Sequence, residues 1–329
     1  LRPAVRIPPH PWLTMLAAEG EGFDVLHTHH PHPFLAVRSS AALEGVPCLY
    51  TFHSPWPEEV LQSRRSVAWS PGVALRRVIE RRAVRRARKI HVLSAYMHSQ
   101  VRRGSAARGA VVGPGGVDPV RFRPPADRAA VRAALGWGEG EVWVLTVRRL
   151  VHRMGLFSLL KAYVSLRRDL PRVRLAIGGD GPLRRRLESA AVRLGLADVV
   201  RFLGYVPEAS LPDLYGASDL HVTPSRALEG FGLSTIEAMA CGTPAAGTPV
   251  GGTKEILLPL EHRCLFTGVT PWAIASGIEW WARRPKHLAR MRSVSREYVC
   301  ERYSWERTAE GVEHLMESMR VPRPAQAEG

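Results

Sequence analysis

Two glutamates eight residues apart, Glu229 and Glu237, enclose the run Gly230-Phe231-Gly232-Leu233-Ser234-Thr235-Ile236. The first lies in a glycine-bearing loop. The second lies within Gly232 to Ala240, a stretch patterned as a helix with small and hydroxylic residues in its first turn. Gly242 is placed as its left-handed stop, and Pro244 bars continuation. A helix that begins straight after Gly-Phe-Gly presents unpaired amides and the positive end of its dipole, which suits a phosphate. Glu237, about one turn in, is positioned to take two hydrogen bonds from a vicinal diol such as a ribose. Glu229, at the mouth of the same cleft, is positioned to hold a sugar hydroxyl or to stabilise developing positive charge. One helix start with a carboxylate on either side describes a nucleotide-sugar pocket, although the pair alone fits an acidic surface helix as well.

Taken with Ala240-Cys241-Gly242-Thr243-Pro244 and Thr248-Pro249-Val250-Gly251-Gly252, the segment resembles the E-x7-E motif of retaining family 4 glycosyltransferases. The resemblance implies an α/β protein of GT-B architecture, with two Rossmann-like, doubly wound parallel-sheet domains facing each other across a cleft. It also implies transfer of a sugar from a nucleoside diphosphate sugar to an acceptor hydroxyl, with retention at the anomeric carbon and no metal or prosthetic group. The matching family loop reads Gly-Arg-Leu, three variable residues, then Lys-Gly, and its Arg and Lys clamp the donor diphosphate. Here Arg149 matches the Arg, Arg148 stands in the glycine's place and Met154 in the lysine's. Loss of a cation aimed at the leaving group costs on the order of 2–4 kcal/mol in the barrier.

Other motifs extend the match. Gly178-Gly179-Asp180-Gly181-Pro182 resembles the family's glycine turn, assigning Gly179 and Asp180 to the donor. Val206 corresponds to a residue packed near the base, while Gly230, Phe231, Gly232 and Leu233 correspond to the diphosphate site. In Thr51-Phe52-His53-Ser54-Pro55, His53 falls at the carboxyl end of a strand, the edge where open α/β sheets bind ligands. The family has a histidine facing the transferred sugar in this context. The resemblance therefore casts Glu229, Arg149 and His53 as catalytic and Glu237 as the ribose ligand.

The elements that must position these groups alternate strand and helix. In the first half, strands are expected at Asp24–His29, Pro47–Phe52 and Lys89–Ser94, with helices at Pro33–Leu43, Ser70–Lys89 and Ala95–Arg103. In the second, strands are expected at Val142–Val147, Val173–Ile177, Val199–Val206, Asp219–Ser225 and Cys264–Thr267. Helices are expected at Gly155–Arg168, Leu211–Ala217, Gly232–Ala240 and Lys254–Leu258, then at Pro271–Arg283, Lys286–Cys300 and Trp305–Met319. Val112-Gly113-Pro114-Gly115-Gly116-Val117-Asp118 matches the family's interdomain junction. We therefore expect an acceptor-side domain over 1–122, a donor domain over 123–303, a helix crossing back over 304–320 and a disordered tail over 321–329. Residues 1–22 are Pro-rich without the strand and glycine loop of the family, so an amino-terminal truncation is expected.

Composition narrows the partners. The chain has 329 residues, and its formal charge of +16 raises nucleic acid or an anionic membrane. Arginine supplies nearly all the cations, however, with lysine only at 89, 161, 254 and 286, and no nucleic-acid-binding motif accompanies them, so no nucleic-acid partner is expected. The arginine-rich helix near 73–89, with Leu75, Val78, Ile79 and Ala83 on one stripe, can lie on an anionic membrane or pack on a core with its arginines solvated. Four scattered cysteines, none in a Cys-x-x-Cys, indicate a reducing cytoplasmic compartment, at most at the inner face of a membrane. The absence of Asp-x-Asp argues against a metal-held diphosphate. His27, His29, His30 and His32 lack a nearby carboxylate or thiolate in sequence and read as structural or cleft-lining rather than metal-binding. Met154 and the missing front leave open a different class of protein, a paralogue that binds nucleotide or a partner without turnover.

Overall fold

A computed structural model describes residues 23–39, 43, 45–64, 70–104 and 109–320. The expectations for residues 1–22 and for the tail from Val321 lie outside these. The described residues group into two compact units, one reaching Leu61, resuming over 70–113 and taking in the segment from Ala309, the other holding Pro114–Thr308 and, by contact, the last turn of the helix that ends at Arg64.

The first unit carries β1 (Leu26–Thr28), α1 (Pro31–Ser39), β2 (Cys48–Phe52), α2 (Trp56–Arg64), α3 (Pro71–Arg86), β3 (Lys89–Val92), α4 (Ala95–Gly104) and β4 (Ala110–Val112). Its strands form one parallel sheet in the order β1-β2-β3-β4. β2 is buried along its whole length, and Phe34, Tyr50, Phe52, Ile90, Val92 and Met97 make the core. Near-continuous apolar strands are what a parallel sheet covered by helices requires. α3 starts where Ser70 accepts from the Val73 amide and Pro71 presets the first helical residue.

Here one expectation fails. The buried stripe of α3 is Val73, Glu80, Ala83 and Val84, while Leu75 and Val78 are 60% and 46% exposed. On the buried face the Trp56 amide donates to the Glu80 carboxylate at 2.6 Å, which satisfies that side chain where it points inward.

The second unit follows with α5 (Arg128–Ala134), β5 (Val142–Val147), α6 (Leu156–Asp169), β6 (Val173–Gly178), α7 (Arg184–Arg193), β7 (Val200–Gly204), α8 (Leu211–Ala217), β8 (Leu220–Thr223), α9 (Leu233–Ala240), β9 (Ala245–Gly247), α10 (Thr253–Leu257), α11 (Pro271–Ala282) and α12 (Pro285–Arg302). α13 (Trp305–Glu317) closes the chain. The sheet is wholly parallel, in the order β7-β6-β5-β8-β9. Trp143, Leu145, Leu160, Tyr163, Ile177, Ile236 and Trp281 fill the layers beside it at 0–1% exposure; burying an aliphatic side chain of this kind stabilises by about 1.5–3 kcal/mol.

The strand expected at Cys264–Thr267 does not form. His262–Cys264 is a 3-10 turn, and only one bridge joins Leu265 to Gly247. The neighbouring β9 is three residues long and offers little ladder to extend. Among the described residues no helix is long and apolar enough to cross a membrane.

Candidate functional site

In the second sheet the strand order reverses at β5: the chain moves outward to β6 and β7, then returns to β8 on the opposite side. Loops leaving the two central strands part at such a reversal and leave a crevice at their carboxyl ends. Arg148 is the first residue after β5, and Ser225 and Glu229 follow β8. These three meet. Arg148 Nη2 donates to Glu229 Oε2 at 2.7 Å, Arg148 Nη1 to Ser225 Oγ at 2.9 Å, and the Ser225 hydroxyl donates to the same Oε2. The arginine and glutamate side chains are only 5% and 11% exposed. Burial pushes the Glu229 carboxyl up, but the adjacent Arg148 charge and the hydrogen bonds from Ser225 and Arg148 outweigh it and hold the group below the usual carboxylate range.

Glycines let the loops approach this closely. Gly179 has φ +114°, and a Cβ there would overlap the Arg148 carbonyl oxygen; Gly251, at φ +68°, lies equally close to the Glu229 carbonyl. Leu228, with φ 53°, is the sole described non-glycine residue at positive φ, and Arg153 donates to its carbonyl at 2.8 Å. Strain at a residue next to a buried ion pair is typical of functional loops.

α9 opens as the sequence suggests. Gly232 takes φ +107°, no side chain caps the helix start, and Gly242 ends it at φ +74°. Phe231 is buried edge-on against Tyr303, whereas Leu233 is 40% exposed. Glu237 sits within the helix, where the Tyr215 hydroxyl donates to its Oε2 at 3.0 Å. Burial raises the Glu237 carboxyl above its usual range against that hydrogen bond.

The remaining expected donor residues are dispersed along the same sheet edge. Asp180 is exposed, with one oxygen taking the Gly181 amide at 2.6 Å. Val206 lies against Gly178, where a Cβ would stand 3.0 Å from its methyl. Arg149 is exposed. Met154 is 8% exposed, and its carbonyl lies 3.5 Å from Arg148 Nη1. Glu229 itself is not an open group at a cleft mouth, as expected from the sequence, but 8% exposed and ion-paired.

In the first unit, His53 is exposed at the end of β2, with its Nε2 3.0 Å from His29 Nδ1. Behind it runs a chain of neutral groups. His91 Nε2 lies 2.9 Å from the Gly113 carbonyl, which only accepts, so Nε2 carries the proton and Nδ1 is bare. The Thr51 hydroxyl then donates to His91 Nδ1 at 3.2 Å and accepts from His27 Nε2 at 2.7 Å. Burial, then repulsion from His29, His91 and His53, lowers the His27 pKa to about 4. Burial likewise lowers His29, His53 and His91. Among the described residues no group of three His, Cys, Asp or Glu side chains is arranged to hold a metal ion.

Sequence reasoning missed the partners rather than the motif. Nothing in the sequence paired Arg148 with Glu229, Ser225 with either, or Tyr215 with Glu237. The available signal was Arg148 itself, a large cation where the resembling loops carry glycine.

Comparisons with known proteins bear on the family and the fold. The model described as glycosyl transferases group 1 matches residues 127–298, and that described as glycosyltransferase family 4 matches residues 1–121. A GDP-mannose-dependent alpha-(1-6)-phosphatidylinositol monomannoside mannosyltransferase of Mycolicibacterium smegmatis is 32% identical over 64% of this chain and 57% of its own length. A D-inositol 3-phosphate glycosyltransferase of Geodermatophilus obscurus is 31% identical over 88% of this chain and 65% of its own. The chain thus spans about 57% and 65% of these two relatives. Among solved structures, a sucrose-phosphate synthase from Thermosynechococcus elongatus superposes with a TM-score of 0.81 at 26% identity, over 94% of this chain and 76% of that one.

Proposed function

The chain belongs to the group 1 glycosyl transferases, and we propose that it moves a sugar from a nucleoside diphosphate sugar to an acceptor hydroxyl, with retention and without a metal. The observation that carries the reading is the uncapped start of α9 with Glu229 and Glu237 on either side, beside the point where strand order reverses. The amides of Gly232 and Leu233 and the exposed Arg149 neutralise the departing diphosphate. Glu237, oriented by Tyr215, holds the ribose diol. Glu229 faces the sugar. The acceptor oxygen attacks the anomeric carbon from the face that the phosphate leaves.

Calorimetric titration with UDP, GDP and ADP, paired with an assay of transfer and hydrolysis, tests this. Tight binding of one nucleotide is expected, with turnover that falls about 100-fold or more in Glu229→Ala and Arg149→Ala. Turnover unaffected by both substitutions overturns the assignment.

A second reading has its own support. Met154 fills the lysine position and Arg148 is tied to Glu229, so a protein that binds the nucleotide without turnover is the alternative. Binding with no transfer or hydrolysis favours it. The partner assignment extends to an anionic membrane surface, because Leu75 and Val78 are exposed among the arginines of α3. The four free thiols accord with a reducing, cytoplasmic setting.

A further inference from the structure

We propose that Arg148 and Ser225 clamp Glu229 by one carboxylate oxygen and present the other to the donor's sugar, so that Arg148 sets the preference for a sugar-bearing nucleotide over the bare nucleoside diphosphate. The proposal rests on the donor reading of this crevice and adds a positioning residue to it.

Three observations carry it. Both contacts to Glu229, from Arg148 Nη2 and from Ser225 Oγ, fall on Oε2, and Oε1 takes part in neither. Two donors converging on one oxygen fix the plane of the carboxylate and direct its other lone pairs. The clamp is itself held. Ser225 is fully buried, and its carbonyl accepts the Thr248 hydroxyl at 2.5 Å, while the Arg148 backbone is pressed against Gly179.

Charge balance points the same way. The loop has lost a cation at Met154 and gained one at Arg148, whose guanidinium folds back to the Met154 carbonyl. Arg148 balances the buried Glu229 charge while its own side chain stays only 5% exposed and turned to that carboxylate. The arginine therefore acts through Glu229 and not on the leaving group.

The test is calorimetric titration of the full chain and of Arg148→Met, Arg148→Lys and Ser225→Ala. The ligands are UDP, GDP and ADP, and the glucose or mannose diphosphate form of whichever nucleotide binds. In Arg148→Met the bare nucleotide is expected to bind within about threefold of wild type, while the sugar-bearing form weakens about tenfold or more, the size of a lost hydrogen bond to a charged group. Ser225→Ala keeps both charges and is expected to show a smaller loss of the same kind. Arg148→Lys restores part of the sugar preference.

A merely structural role would weaken both ligands together, so equal weakening, or an unchanged sugar preference in both Arg148→Met and Ser225→Ala, overturns the clamp alone. A wild-type protein that binds none of the three nucleotides overturns the donor reading and the clamp with it. If Arg148→Met does not fold, Ser225→Ala decides by the same criterion.

Discussion

The two sheets end in opposite electrostatic arrangements. At the carboxyl edge of the second, a full positive and a full negative charge are buried in contact, Arg148 on Glu229. At the carboxyl edge of the first, polar groups are just as closely linked, but through neutral rings: His27, Thr51 and His91 pass hydrogen bonds along the edge without a counter-ion. Both solve the problem of burying polar groups. An ion pair is strong only while both partners remain, and it keeps its charge through neutral pH. A histidine chain is weaker link by link, and acid disrupts it. Similar parallel sheets thus carry sites of different pH tolerance, and the difference lies in a few side chains at the strand ends.

Removing one partner of the pair is expected to have the largest effect. Glu229→Ala leaves the Arg148 guanidinium buried without an anion, at a cost of about 3–5 kcal/mol in unfolding free energy. Urea titration followed by tryptophan fluorescence measures it, and Arg148→Met with Glu229→Met is expected to recover most of the loss, because apolar groups of similar size replace a buried pair at little cost. A loss below about 1 kcal/mol for Glu229→Ala would place the pair with surface salt bridges and remove the contrast.

How much of this was legible in the sequence follows from the kind of interaction. Alternation of apolar strands with helices is local, and β5 (Val142–Val147) and α8 (Leu211–Ala217) fall where the pattern places them. The glycines at 232 and 242 announce their backbone conformations, because positive φ is costly for other residues. Short edge strands are different. β4 and β9, three residues each, draw their identity from the neighbour that pairs with them, and Cys264–Thr267 looked equally strand-like without forming one. Side-chain partners are harder still. Arg148 and Glu229 are 81 residues apart, and only the reversal of strand order brings their loops together. The partner of the buried Glu80 on α3 is the Trp56 amide 24 residues away, and no helical periodicity carries that information.

The next effect sharpens the comparison by loosening the scaffold without touching either charge. Gly179→Ala forces an L-residue to φ +114° and drives its Cβ into the Arg148 carbonyl, which we expect to cost about 1–3 kcal/mol and to weaken the Arg148–Glu229 contact. The double-mutant cycle of Gly179→Ala with Glu229→Gln measures the coupling. Additive effects would show that the glycine turn does not hold the pair.

Acidification separates the two edges directly. His27 has a folded pKa near 4 against an ordinary 6.5, so the stability of its neutral form is complete above about 6.5 and is lost as pH falls toward 4. Glu229 is also lowered, but in a carboxyl group that favours the charged form: its contribution is present above the ordinary carboxylate value and is lost only as pH drops through its lowered folded value. Peptide-resolved hydrogen exchange, corrected for intrinsic rates, is expected to show the peptides around His27 losing protection between about pH 7 and 5 while those around Arg148 and Glu229 keep it. The comparison is local to these strand ends, because His221, buried in β8 with its pKa lowered to about 3, adds acid sensitivity elsewhere in the second unit and Glu80, raised to about 7, opposes it in the first. Loss of protection at both strand ends at one pH would erase the difference.

The smallest expected effect tests whether the histidine chain owes its acid sensitivity to the hydroxyl at its centre. Thr51→Val keeps the shape of a residue that is 2% exposed but removes the donor to His91 Nδ1 and the acceptor for His27 Nε2. Near pH 7.5 the loss should be about 1 kcal/mol, the net worth of ordinary hydrogen bonds. The pH dependence should change in the opposite sense. A hydrogen bond donated to the bare nitrogen favours neutral imidazole and depresses its pKa, so without it the folded pKa of His91 moves back toward its unfolded value. A smaller difference between folded and unfolded pKa means a shallower fall of stability on acidification. The unfolding curves of variant and wild type, measured by urea between about pH 7.5 and 5, should therefore converge as the pH drops. Parallel curves would show that Thr51 contributes shape alone and that the tautomers along the first sheet's edge are not set by its hydroxyl.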